Sequence, residues 1–380
     1  MINKTRLVKL LQKTISYDSQ NPPGNELALA QYIEKDMRSL KIDVKTYAYA
    51  KGRPNIVATL RGSLPGKQAA KEAILITPHF DTVPIGKGWK YKPFGGQIVG
   101  GKIYGRGATD DKGNLASCME VMRSMVEDGF RPKKDIIMAA TVDEETGSHQ
   151  GIIPLLDKKV LTPKFALVMD SDEFDTIVCQ KGLIHGRIQI FGKKSHSAYN
   201  WRGESAIEKA AQVICDLKRL TYKYKKHQFL HPPTMNMGVI GGGEKVNMVC
   251  DFCEFTFDHR FLPDSKAPEI LKLIRKTISR TTKKFKIVID DIQQPYEFDP
   301  KHAYVKEYVK ACRKFKAKAT VKGSEGATVI TFFQKHKIPA FATGYGAHGV
   351  AHCNDEYINI KSLYTGTRAL EEYIKVYDRL

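Results

Sequence analysis

Five short clusters of acidic residues and histidines stand out in this chain of 380 residues. The apolar run Ala73-Ile74-Leu75-Ile76-Thr77 leads into His79 and Asp81. Ile136 to Val142 leads into Asp143-Glu144-Glu145, and Phe165 to Met169 leads into Asp170. Pro339 to Thr343 leads to His348 and His352, and a fifth cluster, Thr109-Asp110-Asp111, sits in a glycine-rich loop before a helical run. In open α/β sheets the ligand crevice lies outside the carboxyl ends of the strands, so four such strand ends can bring their clusters together. Imidazoles and carboxylates without a thiol form a ligand set that suits Zn²⁺, Co²⁺ or Mn²⁺ in a hydrolytic site. Carboxylates outnumber histidines, and one of them can bridge two ions about 3.5–4 Å apart. The adjacent pair Glu144-Glu145 lets one act as ligand while its neighbour takes a proton from water. A single Asp or His after a strand is ordinarily a cap or a turn residue; the five clusters together argue for a site.

Other chemistries lack their residues. No G-x-S-x-G elbow is present, so a serine hydrolase site of that kind is unsupported. Gly241-Gly242-Gly243-Glu244-Lys245 lacks the spacing and the Ser/Thr of a phosphate loop and reads as a hairpin turn. His348 and His352 have i, i+4 spacing but lack the Glu of H-E-x-x-H. Cys250 and Cys253 lie in an alternating run, where positions i and i+3 face opposite sides of a sheet.

The elements that must position these residues follow from the pattern of apolar side chains. Strands are expected over 55–60, 73–77, 136–142 and 165–169, and a helix over 114–127. Such alternation predicts an α/β fold with a mixed, mostly parallel sheet flanked by helices. From Gly182 the texture changes: strand-like alternation over 186–191 and 246–260, with helix candidates over 204–223 and 268–286, predicts a smaller inserted α+β domain. The α/β texture then returns, with helices over 303–315 and 329–336, a strand over 339–343, and a terminal helix from Ile360. The expected organisation is a catalytic domain in two parts, 1–181 and 296–380, interrupted by an inserted domain at 182–295.

Sixty-one Lys+Arg against 41 Asp+Glu give a net charge of +20. The lysine pairs are scattered and form no stripe, so general surface cationicity is preferred to a nucleic-acid partner, and the field can draw anionic substrates toward a cleft. The seven cysteines fit reduced thiols in a reducing compartment. Leu7, Leu10, Leu11 and Ile15 recur at helical spacing between lysines, unlike the continuous apolar core of a signal sequence. No apolar stretch reaches the roughly 18 residues of a membrane span. A cytoplasmic protein is expected.

Together the motifs resemble those of the co-catalytic zinc aminoacylase and exopeptidase superfamily, which holds acetylornithine deacetylase, succinyl-diaminopimelate desuccinylase and carboxypeptidase G. His79-Phe80-Asp81-Thr82-Val83-Pro84 resembles its H-x-D-x-V-P, Gly105 to Gly113 its G-R-G-x-x-D-x-K-G, and Asp143 to Gly147 its D-E-E-x-G. The resemblance covers nearly the whole chain and implies a zinc-exopeptidase-like catalytic domain with two divalent metal ions, zinc foremost, with cobalt or manganese as alternatives. It implies that His79 and Asp170 hold one ion, that Glu145 and His352 hold the other, and that Asp110 bridges them. Asp81 would orient His79, and Glu144 would be the general base. In the inserted domain, Gly192 to Ser197 resembles a lid motif, so His196 would polarise the substrate carbonyl, while Asn247 and Arg260 would grip the substrate carboxylate. In dimeric members this histidine comes from the partner subunit, which implies a homodimer through the lid domain. Asp170 stands where many members carry Glu, as in the dipeptidase and carboxypeptidase branches. Ser324 to Thr331 lacks the Asp and Arg that many relatives carry there, so it departs from the family in a segment that helps form the substrate pocket.

The expected activity is hydrolysis of the amide of an N-acyl amino acid. A dipeptidase or carboxypeptidase of the same superfamily, acting on short peptides, is the first alternative. A non-catalytic basic binding protein is the second, and the intact ligand set argues against it.

Overall fold

The computed structural model describes residues 1–380 and divides them into two compact units. The first comprises Met1–Val178, Phe298–Lys322 and Thr328–Leu380. The second comprises Cys179–Glu297 and Gly323–Ala327.

The first unit is a mixed sheet with helices. Four central strands, Ile136–Ala140, Ile74–Thr77, Phe165–Glu173 and Ala340–Gly344, lie side by side in that order and run parallel. Their side chains are almost wholly buried on both faces, as continuous Ile/Leu/Val/Ala runs require. Antiparallel strands extend the sheet on both sides: Arg53–Leu60 and then Asp43–Ala50 beyond Ile136–Ala140, and Asp175–Gln180 beyond Ala340–Gly344. Because the four central strands share one direction, their carboxyl ends lie along one edge. His79, Glu144 and His352 follow three of these ends, and Asp170 stands near the end of the fourth.

Two helices show how the sequence builds the surrounding layer. Lys4–Ile15 begins at Asn3, whose side chain accepts from the Arg6 N–H, and buries Leu7, Leu10, Leu11 and Ile15 on one face. Lys112–Glu127 is buried nearly all round, with Leu115, Met119, Met122 and Met125 among its interior residues. Its first turn follows directly on Asp110 and Asp111, and a helix N-terminus favours negative charge. No helix is long and apolar enough to cross a membrane.

The second unit is an antiparallel sheet ordered Thr234–Gly242, Phe252–Phe261, Gly182–Phe191, Phe285–Gln293. Helices Ala206–Lys218 and Ala267–Thr281 share its core, in which Ile184, Ile188, Phe255 and Phe257 meet Val213 and Ile274. The helix expected to reach residue 286 stops at Thr281. Thr282 is extended, and a strand begins at Phe285, where Phe285, Ile287 and Ile289 restore a period of two. The helix expected to reach residue 223 likewise ends at Lys218. All seven cysteines are free thiols; five are buried, while Cys215 and Cys353 are exposed.

Gly113 shows why the loop before the long buried helix must be built as it is. A Cβ at this position would lie 2.4 Å from the Ala108 carbonyl oxygen and 2.8 Å from Ile358 Cδ1. Gly113→Ala is therefore expected to lower stability by at least the roughly 1–3 kcal/mol of an overpacked core site, read as a lower denaturation midpoint.

Candidate metal centre

All six residues expected to form the centre lie in the first unit, and the structure brings them together. The side chains of His79, Glu144 and Asp170 present ligand atoms within 4.8 Å of one another, and so do Asp110, Glu145 and His352. Asp110 touches both groups. Its Oδ1 lies 2.9 Å from His79 Nε2, and its Oδ2 lies 3.1 Å from His352 Nε2. His352 Nε2 is also 3.1 Å from Glu145 Oε2. One carboxylate thus offers one oxygen to each histidine, which is the disposition a bridging ligand needs. His348, which the same strand end supplies, goes elsewhere: its Nδ1 lies 3.2 Å from Asp172 Oδ2.

Asp81 is fully buried and does more than orient a histidine. His79 Nδ1 lies 3.2 Å from the Asp81 carbonyl oxygen and 3.4 Å from its carboxylate Oδ1, so the shorter contact is to the backbone. The carboxylate also accepts the Glu144 and Glu145 N–H groups, both at 3.1 Å, and the Asn21 side-chain amide at 2.9 Å. It therefore fixes the short turn Glu144–Thr146 that carries both glutamates. Asp143 enters that turn with a left-handed φ of 68°. Its carboxylate accepts from Thr146 Oγ1, the Gln150 N–H and Arg53, and Arg53 also bonds the buried Glu26.

A second support was not legible in any motif. Glu356, fully buried, accepts the N–H groups of Gly107, Thr109 and Asp110 and pairs with the buried Arg106 at 2.8 Å. Arg106 also donates to the Cys353 carbonyl at 3.1 Å and lies over the Trp89 ring. The loop that carries Asp110 is thereby tied to the segment that carries His352. Asp111 accepts the His79 N–H at 3.1 Å and the Asn114 amide at 2.6 Å. No periodicity or spacing marks Glu356 or Asn21 as positioning residues, because their partners lie far away in sequence.

The electrostatics follow from crowding. Burial raises the Asp170 carboxyl to about 7, with the Asp110 charge adding to it. Burial likewise raises Glu144 and Glu145, helped by their acidic neighbours. Burial opposes ionisation of Asp110 as well, but its bonds to His352 and His79 win and hold it below the usual carboxylate range. Its bonds to Asp110 and Glu145 raise His352 to about 10. Four carboxylates thus share a buried space with two imidazoles as their nearest compensation. This oxygen-rich, thiol-free donor set fits two divalent cations, which supply the missing positive charge.

The residues expected to read the substrate lie in the second unit. His196 forms a short ribbon with Met248, and the Ser197 N–H donates to the Asn247 carbonyl at 3.0 Å, so His196 and Asn247 are neighbours. His196 Nδ1 accepts the Ala198 N–H at 3.1 Å. Arg260 stands near the far end of the strand Phe252–Phe261, about 26 Å from its start at the usual strand rise. Its guanidinium forms a two-point pair with Asp258, at 2.8 and 3.0 Å. Within one chain, then, His196 and Asn247 stand together and Arg260 stands apart from them. The divergent segment from Ser324 supplies Glu325, which pairs with the fully buried Lys181 at 2.5 Å and accepts from His231.

Comparison with known proteins accords with this arrangement. The model of peptidase family M20/M25/M40 matches residues 75–376. An acetylornithine deacetylase of Shigella sonnei is 30% identical over 299 residues, 76% of this chain and 76% of its own length. An acetylornithine deacetylase of Proteus mirabilis is 28% identical over 361 residues, 90% of this chain and 88% of its own. Among solved structures, an aminopeptidase PepT from Bacillus cereus covers 99% of both chains with a TM-score of 0.82 at 24% identity, a likeness of fold.

The crowding makes a prediction for the metal-free chain. Asp170 titrates near 7 when folded, above its ordinary value of 3.8, so its contribution is complete below about pH 4 and lost as pH rises through 7. His352, raised from 6.5 to about 10, contributes fully below its ordinary value and loses that contribution as pH rises through 10. Both slopes run the same way, and the lowered Asp110 acts only on the acid side. Lys112, buried and pushed down to about 7, works in the opposite sense above pH 7, so the chelator-treated protein should lose stability mainly between pH 5 and pH 7 in urea denaturation. A divalent cation should flatten that slope, because its binding displaces these protons.

Proposed function

The chain belongs to peptidase family M20/M25/M40 and is a hydrolase of amide bonds, and from that premise we propose that it is a two-metal deacylase of N-acyl amino acids. The observation that carries this reading is the Asp110 carboxylate, set between His79 and His352 with Glu144 beside them. His79 and Asp170 would hold one divalent ion and Glu145 and His352 the other, with Asp110 shared. Zinc is the first choice, and cobalt and manganese suit the same donors. When bound, such ions polarise the substrate carbonyl and acidify water. Glu144 takes the proton of the attacking water on its carboxylate and delivers it to the leaving nitrogen. Burial holds its carboxyl above the usual range, in the direction an acid and base near neutral pH requires. Asp81 keeps the backbone of both glutamates in place during these transfers.

We assign substrate reading to the second unit, with His196 on the carbonyl and Asn247 and Arg260 on the substrate carboxylate. In one chain Arg260 is far from the other two, so a homodimer that brings both sets to one substrate is part of the proposal. The free edge of the sheet, Thr234–Gly242, supports it: Val239 and Ile240 are 68% and 55% exposed there, and an open apolar edge strand is a ready surface for a second copy. The acyl-amino-acid reading rests on the acetylornithine deacetylases, which align over most of the chain. Asp170 favours one second reading, a dipeptidase or carboxypeptidase, because that aspartate resembles the peptidase branches.

Three outcomes are expected. Glu144→Gln should lower turnover by about 10²–10⁴-fold while bound metal, counted by atomic absorption, stays unchanged; unimpaired turnover would remove Glu144 from the role. Free-amine release, with a chelator control, should occur from N-acetylornithine or another N-acyl amino acid, whereas release from dipeptides alone would establish the second reading. Light scattering should give twice the chain mass for the native protein and the single mass for a variant with Val239→Lys and Ile240→Lys.

A further inference from the structure

The second unit holds a cavity of about 440 Å³ between the helix Ala267–Thr281 and the strand Phe252–Phe261. That volume lies within the roughly 300–1,000 Å³ range of small-molecule pockets. Its apolar lining is Tyr222, Pro233, Phe261, Ile270 and Leu273, with Thr221, Ser265 and His259 as uncharged polar neighbours. Every residue of the metal centre belongs to the first unit.

His259 is out of character with its position. Alternation along the strand turns Phe255, Phe257, His259 and Phe261 to the buried side, so the imidazole sits in a row of phenylalanines. Its exposure is 0%, and neither ring nitrogen has a hydrogen-bond partner of good geometry; the Thr234 backbone is the polar group that approaches it. The ring lies 4.5 Å from that of Tyr222 and stacks parallel to Phe261. Burial pushes it down to about 4, so it is neutral at pH 7 and offers one N–H and one lone pair. Buried polar groups are ordinarily paired. With both nitrogens shut off from the cavity and the Thr234 backbone nearest to them, the imidazole backs the wall and leaves the polar contacts to the rim.

The rim has a definite charge. Lys223, Lys266, Lys272 and Lys276 surround the opening, against Asp264 and Glu269. None of these four lysines is in an ion pair within the chain, whereas Asp264 already accepts the Lys225 N–H at 2.8 Å. The walls call for an apolar body and the rim for an anion.

We propose that this cavity is a binding site for a small anionic amphiphile, with its apolar or aromatic body against Tyr222, Phe261 and Leu273 and its anionic head among the rim lysines. The probe is the aromatic sulfonate 8-anilino-1-naphthalenesulfonate, titrated against the full-length chain by fluorescence. Saturable binding of one probe per chain is expected, displaced by decanoate and not by decanol. The double substitution Lys272→Glu, Lys276→Glu alters two exposed side chains and should weaken binding at least tenfold with an unchanged thermal midpoint. Leu273→Trp fills the cavity and should abolish binding. Unsaturable binding, or binding unchanged by the lysine reversal, would overturn the proposal even if the Leu273 variant failed to fold.

Discussion

Four carboxylates gathered at the ends of parallel strands set the terms for the rest of the first unit. Asp110, Glu144, Glu145 and Asp170 converge where water is largely excluded, and like charges so placed resist ionisation together. The chain meets this with two imidazoles, both held on Asp110. The result is uneven: Asp110 is kept ionised while Asp170 rises to about 7. Two dications supply the charge that lets all four ionise, so metal binding and the electrostatics of the fold are one problem. The same arrangement accounts for the sheet. Only strands that share a direction present their carboxyl ends on one edge, and only an edge of that kind lets residues as distant in sequence as His79 and His352 touch one carboxylate.

Holding such groups in place requires a layer behind them, and that layer is built from buried acids bonded to backbone. Asp81 takes the N–H groups of Glu144 and Glu145; Glu356 takes those of Gly107, Thr109 and Asp110. Each carboxylate spends its lone pairs on amides that would otherwise be unsatisfied donors in tight turns. Arg106 and Arg53 offset part of the negative charge of this layer, paired with Glu356 and with Glu26 and Asp143. The ligand loops thus owe their geometry to side chains that never face the reacting atoms.

That division explains what could be read from residues alone. The strands 74–77, 136–140, 165–173 and 340–344 were legible because full burial demands unbroken apolar runs, and the polar residues ending those runs were conspicuous for the same reason. The antiparallel neighbour Arg53–Leu60 was expected over 55–60 as well, but two other antiparallel strands were not legible. Thr234–Gly242 contains three glycines and is largely exposed, and Asp43–Ala50 carries polar side chains on both faces. Pairing with a neighbouring strand, not intrinsic preference, makes them strands. His348 looked as suited to the centre as His352, yet it pairs with Asp172, a choice made by loop geometry that spacing does not encode. Glu356 looked like one more acid in a polar loop; its partners, near Gly107, are some 250 residues away.

The net charge of +20 takes on a different meaning once the acids are located. Asp81, Asp110, Asp111, Glu144, Glu145, Asp170 and Glu356 all lie in or directly behind the centre. Removing them from the surface balance leaves the exterior more basic than the composition implies, and such a field draws in anions. The centre itself would turn an anion away while its carboxylates are ionised and uncompensated. Two dications add four positive charges against the four carboxylates of the ligand clusters and cancel that repulsion. A basic exterior and an acidic interior are therefore compatible in one hydrolase, since the exterior draws anions in and dications would let the interior accept them. The surface field gathers anions, and the metal-free centre is the form that repels them.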